Sequence, residues 1–141
     1  MPYWRLFYHI TWSTKGRMLW IASDWERDLY QVIVAKAEAL GVQVYAIGGI
    51  EDHIHLVASI PPKIALSKFV GQTKGNSSHF VNHVLCFDFH FAWQREYGIV
   101  SFGEKHLQMV ISYVRKQREH HSSGKLIAFL ERCDVEGLPG E

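Results

Sequence analysis

The sequence is short of several features that define protein classes, and each shortage excludes something. Its two cysteines, Cys86 and Cys133, lie far apart and fit neither a disulfide framework nor a zinc motif. No apolar run approaches the length of a transmembrane helix. The net charge of +1 gives no overall basic field, so any nucleic-acid binding would depend on local positive charge. Internal repeats and low-complexity segments are also lacking.

What remains is the composition of a globular protein, with 48% hydrophobic and 21% charged residues. A chain of 141 residues is long enough for one domain with its own core. We therefore expect one domain over residues 1–133 and a flexible polar tail over 134–141. The N-terminal residues show no apolar leader, which favours a cytoplasmic protein without membrane attachment.

The order of predicted elements indicates the fold. Aromatic and β-branched residues predict strands, and apolar residues three and four apart predict helices. The predicted strands span 3–14, 42–50, 53–60 and 86–94, with a short extended piece at 99–101. The predicted helices span 24–40, 64–82, 104–121 and 125–132. This order is the split βαβ pattern of an α+β, ferredoxin-like sandwich with an antiparallel sheet. We expect helices on one face, an additional C-terminal helix, and an open second face.

The third predicted strand contains the sequence His53-Ile54-His55. Strand side chains alternate with period two, so Ile54 and Leu56 should face the core and the two imidazoles the opposite side. Two imidazoles and one amide oxygen can hold a divalent metal. Because the chain contains nine histidines, the pair alone also fits ordinary polar residues on a strand.

The helix predicted at 104–121 adds a candidate nucleophile. Its apolar stripe is Leu107, Val110, Ile111 and Val114. Polar groups lie along one flank of this stripe: His106, Tyr113, Gln117 and His120. Tyr113 and Gln117 are four residues apart and share a face, so Gln117 can supply the amide oxygen while Tyr113 attacks what the metal polarises. The pattern indicates phosphodiester chemistry with a covalent tyrosine intermediate, although an amphipathic helix edged by an aromatic residue also fits.

Four segments resemble one known family, in order along the chain. Residues 9–15 are similar to a strand written His-x-x-Trp-x-Thr-Lys, and 52–57 to a His-hydrophobic-His strand. Residues 91–98 resemble a Trp-Gln-x-Gly-Tyr-Gly segment, and 113–121 resemble a catalytic helix. The family is the single-tyrosine HUH transposases of the insertion-sequence-200-like group, including repetitive-palindrome-associated relatives. Departures are Glu96, where relatives carry Gly, and Ile99-Val100, which replace a small-aromatic pair; both lie on a connecting segment.

The resemblance implies that the protein excises and inserts a mobile element by cleaving and rejoining single-stranded DNA. Tyr113 would form a 5′-phosphotyrosine, while His53, His55 and Gln117 would bind Mg²⁺ or Mn²⁺. The acceptor of the tyrosine proton stays open among a metal-bound hydroxide, His120 and Lys116. The resemblance also implies single-stranded or hairpin DNA as partner, and a homodimer in which one subunit's tyrosine helix can complete the other's site.

Other residues have supporting roles in this hypothesis. Asp52 is a candidate for orienting an imidazole. The candidates for contact with DNA phosphates are all basic: Lys15, Arg17, Lys68, Lys74 and Arg118. Ordinary solvated side chains fit these five equally well.

Three other functions fit the same pattern. A replication initiator or relaxase shares the chemistry, but usually has a longer chain. A domesticated nuclease that acts on palindromic repeats differs only in its biological role. A non-catalytic, ferredoxin-like nucleic-acid-binding module would form neither a metal site nor a covalent adduct.

Overall fold

The computed structural model describes residues 2–133, with the side chain of Glu119 left out, so the predicted tail at 134–141 lies outside it. Four antiparallel strands form one sheet in the order β2-β3-β1-β4. They are β1 (Phe7–Ser13), β2 (Gln43–Ile50), β3 (His53–Ser59) and β4 (Gly98–Phe102). The helices are α1 (Glu26–Ala39), α2 (Leu66–Phe80), α3 (Leu107–Arg115), α4 (Gln117–Ser123) and α5 (Ala128–Glu131). The predicted α+β, ferredoxin-like fold is confirmed.

One face of the sheet carries the larger hydrophobic core. Ile10 and Trp12 of β1 and Ile54 and Leu56 of β3 are fully buried there against α1 and α2. The predicted alternation of β3 is therefore confirmed. Since β1 and β3 pair with Ile10 opposite Leu56, the apolar side chains of both strands meet on this face.

The second face is covered, so the expectation of an open face is wrong. Val57 of β3 packs against Val110, Ile111 and Val114 of α3. A Cβ atom on Gly48 would lie 2.2 Å from the carbonyl oxygen of Val114, so the glycine allows α3 to approach the sheet closely. As a result every residue of β3 is buried.

The prediction of a strand at 86–94 is wrong, because β4 is the short extended piece predicted nearby. After α2 the chain makes a π-helical turn, Val81–Leu85. Asn82 then bonds both backbone groups of Phe91, each at 2.8 Å. This side chain satisfies backbone groups that a strand would give to a neighbour, although Thr14 and Trp93 form an isolated bridge.

The predicted helix at 104–121 is also interrupted. Lys116 has φ −108° and ψ 31°, and this residue separates α3 from α4. The predicted helix at 125–132 is reduced to α5. Within residues 2–133 no helix combines the length and apolar character needed to cross a membrane.

Candidate functional site

The second face of the sheet brings together three imidazoles and a carboxylate. His53 and His55 come from β3, His121 from α4 and Glu131 from α5, and their ligand atoms all lie within 4.8 Å of one another. Glu131 Oε1 lies 3.3 Å from His53 Nε2, 3.2 Å from His55 Nε2 and 3.3 Å from His121 Nε2. Imidazole and carboxylate are common ligands of divalent transition metals.

The Nδ1 atoms of His53 and His55 each contact a side chain outside the cluster. His53 Nδ1 lies 2.7 Å from Asp52 Oδ1, and His55 Nδ1 lies 2.7 Å from His9 Nε2. The carboxylate of Asp52 can only accept, so it favours a proton on His53 Nδ1 and leaves the lone pair of its Nε2 directed at the cluster; between His9 and His55 either ring can donate. Both Nε2 atoms are buried without a well-formed hydrogen bond among the described residues. This arrangement fits a bound cation.

The protonation equilibria of these histidines differ with their surroundings. Burial, reinforced by His55, lowers the pKa of His9 to about 3, so this ring is neutral near pH 7. Burial also lowers the pKa of His55. For His53 the effect of burial is outweighed by contact with Asp52 and Glu131, which raises its pKa. Metal binding would need neutral imidazoles, so His55 already has the required form.

Tyr113 lies on α3 directly beside this cluster. Its hydroxyl donates a hydrogen bond to Glu131 Oε2 and accepts one of 3.0 Å from the backbone N–H of Ile127. Its ring packs edge-on against His55 at a centroid distance of 6.0 Å and stacks on His120 at 4.8 Å. Burial and the hydrogen bond to Glu131 raise the pKa of Tyr113 to about 12, so the hydroxyl keeps its proton in this arrangement.

Gln117 reaches the cluster through His121. Its side chain is buried, and its Oε1 atom lies 3.1 Å from His121 Nε2. The break at Lys116 begins a new helix at Gln117. The predicted group of Tyr113, Gln117, His53 and His55 is therefore assembled within one chain.

Comparisons with known proteins identify the family of the chain. The family model described as "Transposase IS200 like" matches residues 2–117, most of the chain. The chain belongs to this family. The predicted resemblance is thus confirmed, and family membership implies a DNA-cleaving and strand-transferring enzyme.

Two curated relatives support the assignment of this transposase. The chain is 27% identical over 131 residues to the transposase for insertion sequence element IS200 of Salmonella typhimurium, covering 89% of this chain and 85% of the relative. It is 25% identical over 121 residues to the ISDra2 transposase TnpA of Deinococcus radiodurans, covering 82% and 86%.

Two solved structures share the fold of this transposase. One is a crystal structure of a Deinococcus radiodurans protein described as a transposase. It has a TM-score of 0.63 and 21% identity, covering 83% of this chain and 95% of that chain. The other is a REP-associated tyrosine transposase bound to a REP hairpin. Its TM-score is 0.62 and its identity 13%, covering 89% and 76%.

The structure gives the remaining predicted residues varied surroundings. Asp52 contacts His53 as predicted for a supporting carboxylate, whereas Lys116 is exposed. Lys15 and Lys68 are exposed too, which leaves them accessible to a DNA backbone. Arg17 is exposed and lies 3.7 Å from Asp52.

Two of the predicted phosphate contacts have partners within the protein. The Lys74 ammonium donates to three backbone carbonyls, those of Gln94, Arg95 and Glu96. Arg118 pairs with Glu26 and Glu51. Their role in DNA binding therefore requires these contacts to be exchanged or shared.

Sequence reasoning missed two members of the cluster. His121 lies in the segment that resembles the catalytic helix, but only His120 was assigned a role. Glu131 lies in the short predicted C-terminal helix, and local periodicity gives no signal that a carboxylate there would reach β3. Its position depends on how the chain folds back over the sheet.

Proposed function

We propose that this transposase cleaves and rejoins single-stranded DNA through a covalent 5′-phosphotyrosine on Tyr113, for excision and insertion of a mobile element. One observation carries the proposal: the Tyr113 hydroxyl is connected to the histidine cluster by the carboxylate of Glu131. A nucleophile and a set of metal ligands thus share one buried site. This is the arrangement that phosphodiester transfer requires.

A divalent cation, Mg²⁺ or Mn²⁺, would be held by His53 and His55 through Nε2, and by the amide oxygen of Gln117. The buried Nε2 atoms of the two histidines have no well-formed hydrogen bond within residues 2–133, and this fits such an ion. When bound, the cation supplies Lewis acidity and charge neutralisation at the scissile phosphate. Asp52 and His9 hold the two imidazoles at their Nδ1 atoms, so that each ring directs Nε2 inward.

Tyr113 performs the covalent step. Its hydroxyl oxygen attacks the phosphorus, a P–O bond to tyrosine forms, and the P–O bond to the 3′ oxygen of the leaving strand breaks. The tyrosine proton is lost to an acceptor, and the leaving strand gains a proton as a 3′-hydroxyl. Ile127 N–H and the ring of His120 fix the direction of the attacking oxygen.

The covalent intermediate retains the energy of the phosphodiester bond. A different 3′-hydroxyl can therefore attack the phosphotyrosine and join new strands without a nucleotide cofactor. Tyr113 is 3% exposed in this arrangement, which keeps its hydroxyl from bulk water before DNA binds.

We further propose single-stranded or hairpin DNA as the substrate. The REP-associated relative of the same fold is bound to a REP hairpin. On this chain the exposed side chains of Lys15, Arg17 and Lys68 offer positive charge for phosphates. The predicted homodimer belongs to the proposal as well, and light scattering of the purified protein measures it directly.

The test is a covalent-adduct assay. The protein is mixed with labelled single-stranded DNA from the ends of its element and with Mg²⁺ or Mn²⁺, and is then run on a denaturing gel. We expect a metal-dependent protein–DNA band that disappears in Tyr113→Phe and in the His53→Ala/His55→Ala double variant. Tyr113→Phe is matched closely, since it removes one oxygen.

Other results would reject parts of the proposal. A band that survives Tyr113→Phe identifies another nucleophile. Retarded DNA on a native gel without any adduct favours a non-catalytic nucleic-acid-binding module. Cleavage of palindromic repeats, without rejoining of element ends, favours a domesticated nuclease, and cleavage at a replication origin favours an initiator.

A further inference from the structure

The carboxylate of Glu131 is not explained by the two-histidine, one-glutamine ligand set. We propose that Glu131 is itself a metal ligand and that it couples the bound cation to the hydroxyl of Tyr113. Glu131 lies on α5 of the same chain and joins His121 of α4 in the cluster. This inference rests on the proposed function of the same site. It names an additional ligand and a link between metal and nucleophile.

The distances from Glu131 to the three imidazoles are those between ligands of one ion. Metal–ligand bonds of about 2.1 Å place neighbouring donor atoms about 3.0 Å apart in octahedral geometry and about 3.4 Å apart in tetrahedral geometry. Glu131 Oε1 lies 3.2–3.3 Å from the Nε2 atoms of His53, His55 and His121. One oxygen thus stands at ligand spacing from three nitrogens.

Hydrogen bonding gives a poor account of the same contacts. In the neutral form that metal binding needs, His53 has its Nδ1 proton directed at Asp52 and so presents the lone pair of Nε2 toward the Glu131 oxygen; His55 does the same when its Nδ1 donates to His9. Both Nε2 atoms are buried and lack a well-formed hydrogen bond among the described residues. Lone pairs that face a carboxylate repel it, whereas a cation between them turns repulsion into coordination.

The position of Glu131 is fixed by packing of the backbone around it. Leu130 is fully buried beside it. A Cβ atom on Gly98 would lie 1.7 Å from the carbonyl oxygen of Arg132, so only glycine lets the end of α5 lie against β4. The carboxylate therefore reaches the cluster from a segment whose backbone is packed against the sheet.

The second oxygen of Glu131 connects the cation to the nucleophile. Oε2 accepts the hydrogen bond of the Tyr113 hydroxyl while Oε1 faces the histidines. A cation on Oε1 withdraws negative charge from the carboxylate, and this weakens its hold on the tyrosine proton. Metal occupancy is thereby transmitted to Tyr113 through one side chain.

The experiment measures binding of Mn²⁺ alone to the full chain by electron paramagnetic resonance at constant pH. Mn²⁺ is the probe because both carboxylate and imidazole bind it. We expect Glu131→Gln to raise the Kd by more than about tenfold, since even residues that only orient metal ligands contribute that much. The matched control is Glu104→Gln, at an exposed glutamate paired with Arg5, and its Kd should be unchanged.

The second readout is the tyrosine itself. Ultraviolet difference spectra at the same constant pH follow Tyr113 as the difference between the wild type and Tyr113→Phe. Addition of Mn²⁺ should change the tyrosine absorption in the wild type and have a smaller effect in Glu131→Gln. An unchanged Kd for Mn²⁺ in Glu131→Gln, with the fold intact by circular dichroism, overturns the proposal.

The outcomes separate this inference from the proposed function. If His55→Ala loses Mn²⁺ and Glu131→Gln does not, the metal site stands and the role of Glu131 is wrong. If the wild type binds no Mn²⁺, the metal-dependent function itself is wrong. Should Glu131→Gln fail to fold, Gly98→Ala, which moves the end of α5 and keeps the carboxylate, must weaken Mn²⁺ binding for the inference to hold.

Discussion

The two faces of the same sheet do different work, although they are built from the same two strands. On one face Ile10 and Trp12 of β1 meet Ile54 and Leu56 of β3 under α1 and α2. On the other face His53 and His55 meet the segments that carry Tyr113 and Glu131. The period of two along a strand lets neighbouring residues serve stability and chemistry separately.

This division has a physical basis. The apolar face gains free energy by burying hydrocarbon. The polar face is also buried, and its imidazoles are held at Nδ1 while their Nε2 atoms converge on one carboxylate. Buried nitrogens that converge on a carboxylate without a well-formed hydrogen bond among the described residues fit a site for a bound cation.

The sharpest test compares two adjacent residues of β3. Leu56→Ala should lower the free energy of unfolding by about 2–5 kcal/mol, since it opens a cavity in a closed core. His55→Ala should raise the Kd for Mn²⁺ by more than about 100-fold, because it removes a ligand and not merely its support. Urea unfolding and metal titration of both variants check this. A loss of metal affinity in folded Leu56→Ala that equals the loss in His55→Ala would contradict a division between the faces.

A smaller effect on the Kd for Mn²⁺ is expected at His9, which contacts a metal ligand and not the ion itself. His9→Phe removes the partner of His55 Nδ1, so the imidazole is free to turn or to change tautomer, and the Kd for Mn²⁺ should rise about 10–100-fold. His9→Gln retains a side chain that can donate or accept a hydrogen bond, and it should recover part of the affinity. If His9→Phe and His9→Gln weaken Mn²⁺ binding equally, His9 contributes by packing alone.

The packing of α3, the helix that carries Tyr113, against the sheet can be tested at Gly48. Gly48→Ala places a Cβ atom 2.2 Å from the Val114 carbonyl, so α3 must shift. We expect a loss of about 1–3 kcal/mol in unfolding free energy and slower adduct formation. Gly71→Ala is the control, because nothing lies within 4 Å of its Cβ position in α2, and it should stabilise by up to about 1 kcal/mol. Equal adduct rates in both variants would show that α3 tolerates displacement.

The sequence predicted the sheet, the face of the histidines and the helix of Tyr113, because these depend on local periodicity. It failed at residues 86–94, where alternating aromatic residues are typical of a strand but Asn82 binds the backbone of Phe91 instead. It failed again at Glu131, whose place is decided by contact of α5 with β1 and β4. Periodicity within one segment contains no information about such distant contacts.

The smallest expected difference between the two faces is in how the free energy of unfolding changes as the pH is lowered. The pKa of His9 is lowered to about 3 in the folded protein, against an ordinary value of 6.5. Below pH 6.5 the unfolded chain therefore binds a proton at His9, and the folded protein does not. The contribution of His9 to the free energy of unfolding is fully present above this pH. It is lost as the pH falls toward 3, at up to about 1.4 kcal/mol per pH unit.

Replacing His9 by Gln should remove this contribution and leave that of His55, whose pKa is also lowered by burial. Urea unfolding of the metal-free protein at pH 7.5, 6.5, 5.5 and 4.5 measures the dependence, with a chelator present throughout. The slope below pH 6.5 should be smaller in His9→Gln than in the wild type, whereas Leu56→Ala should lower stability equally at every pH. Identical slopes in His9→Gln and wild type would mean that His9 can accept a proton in the folded state, and that the polar face is more open to water than its burial indicates.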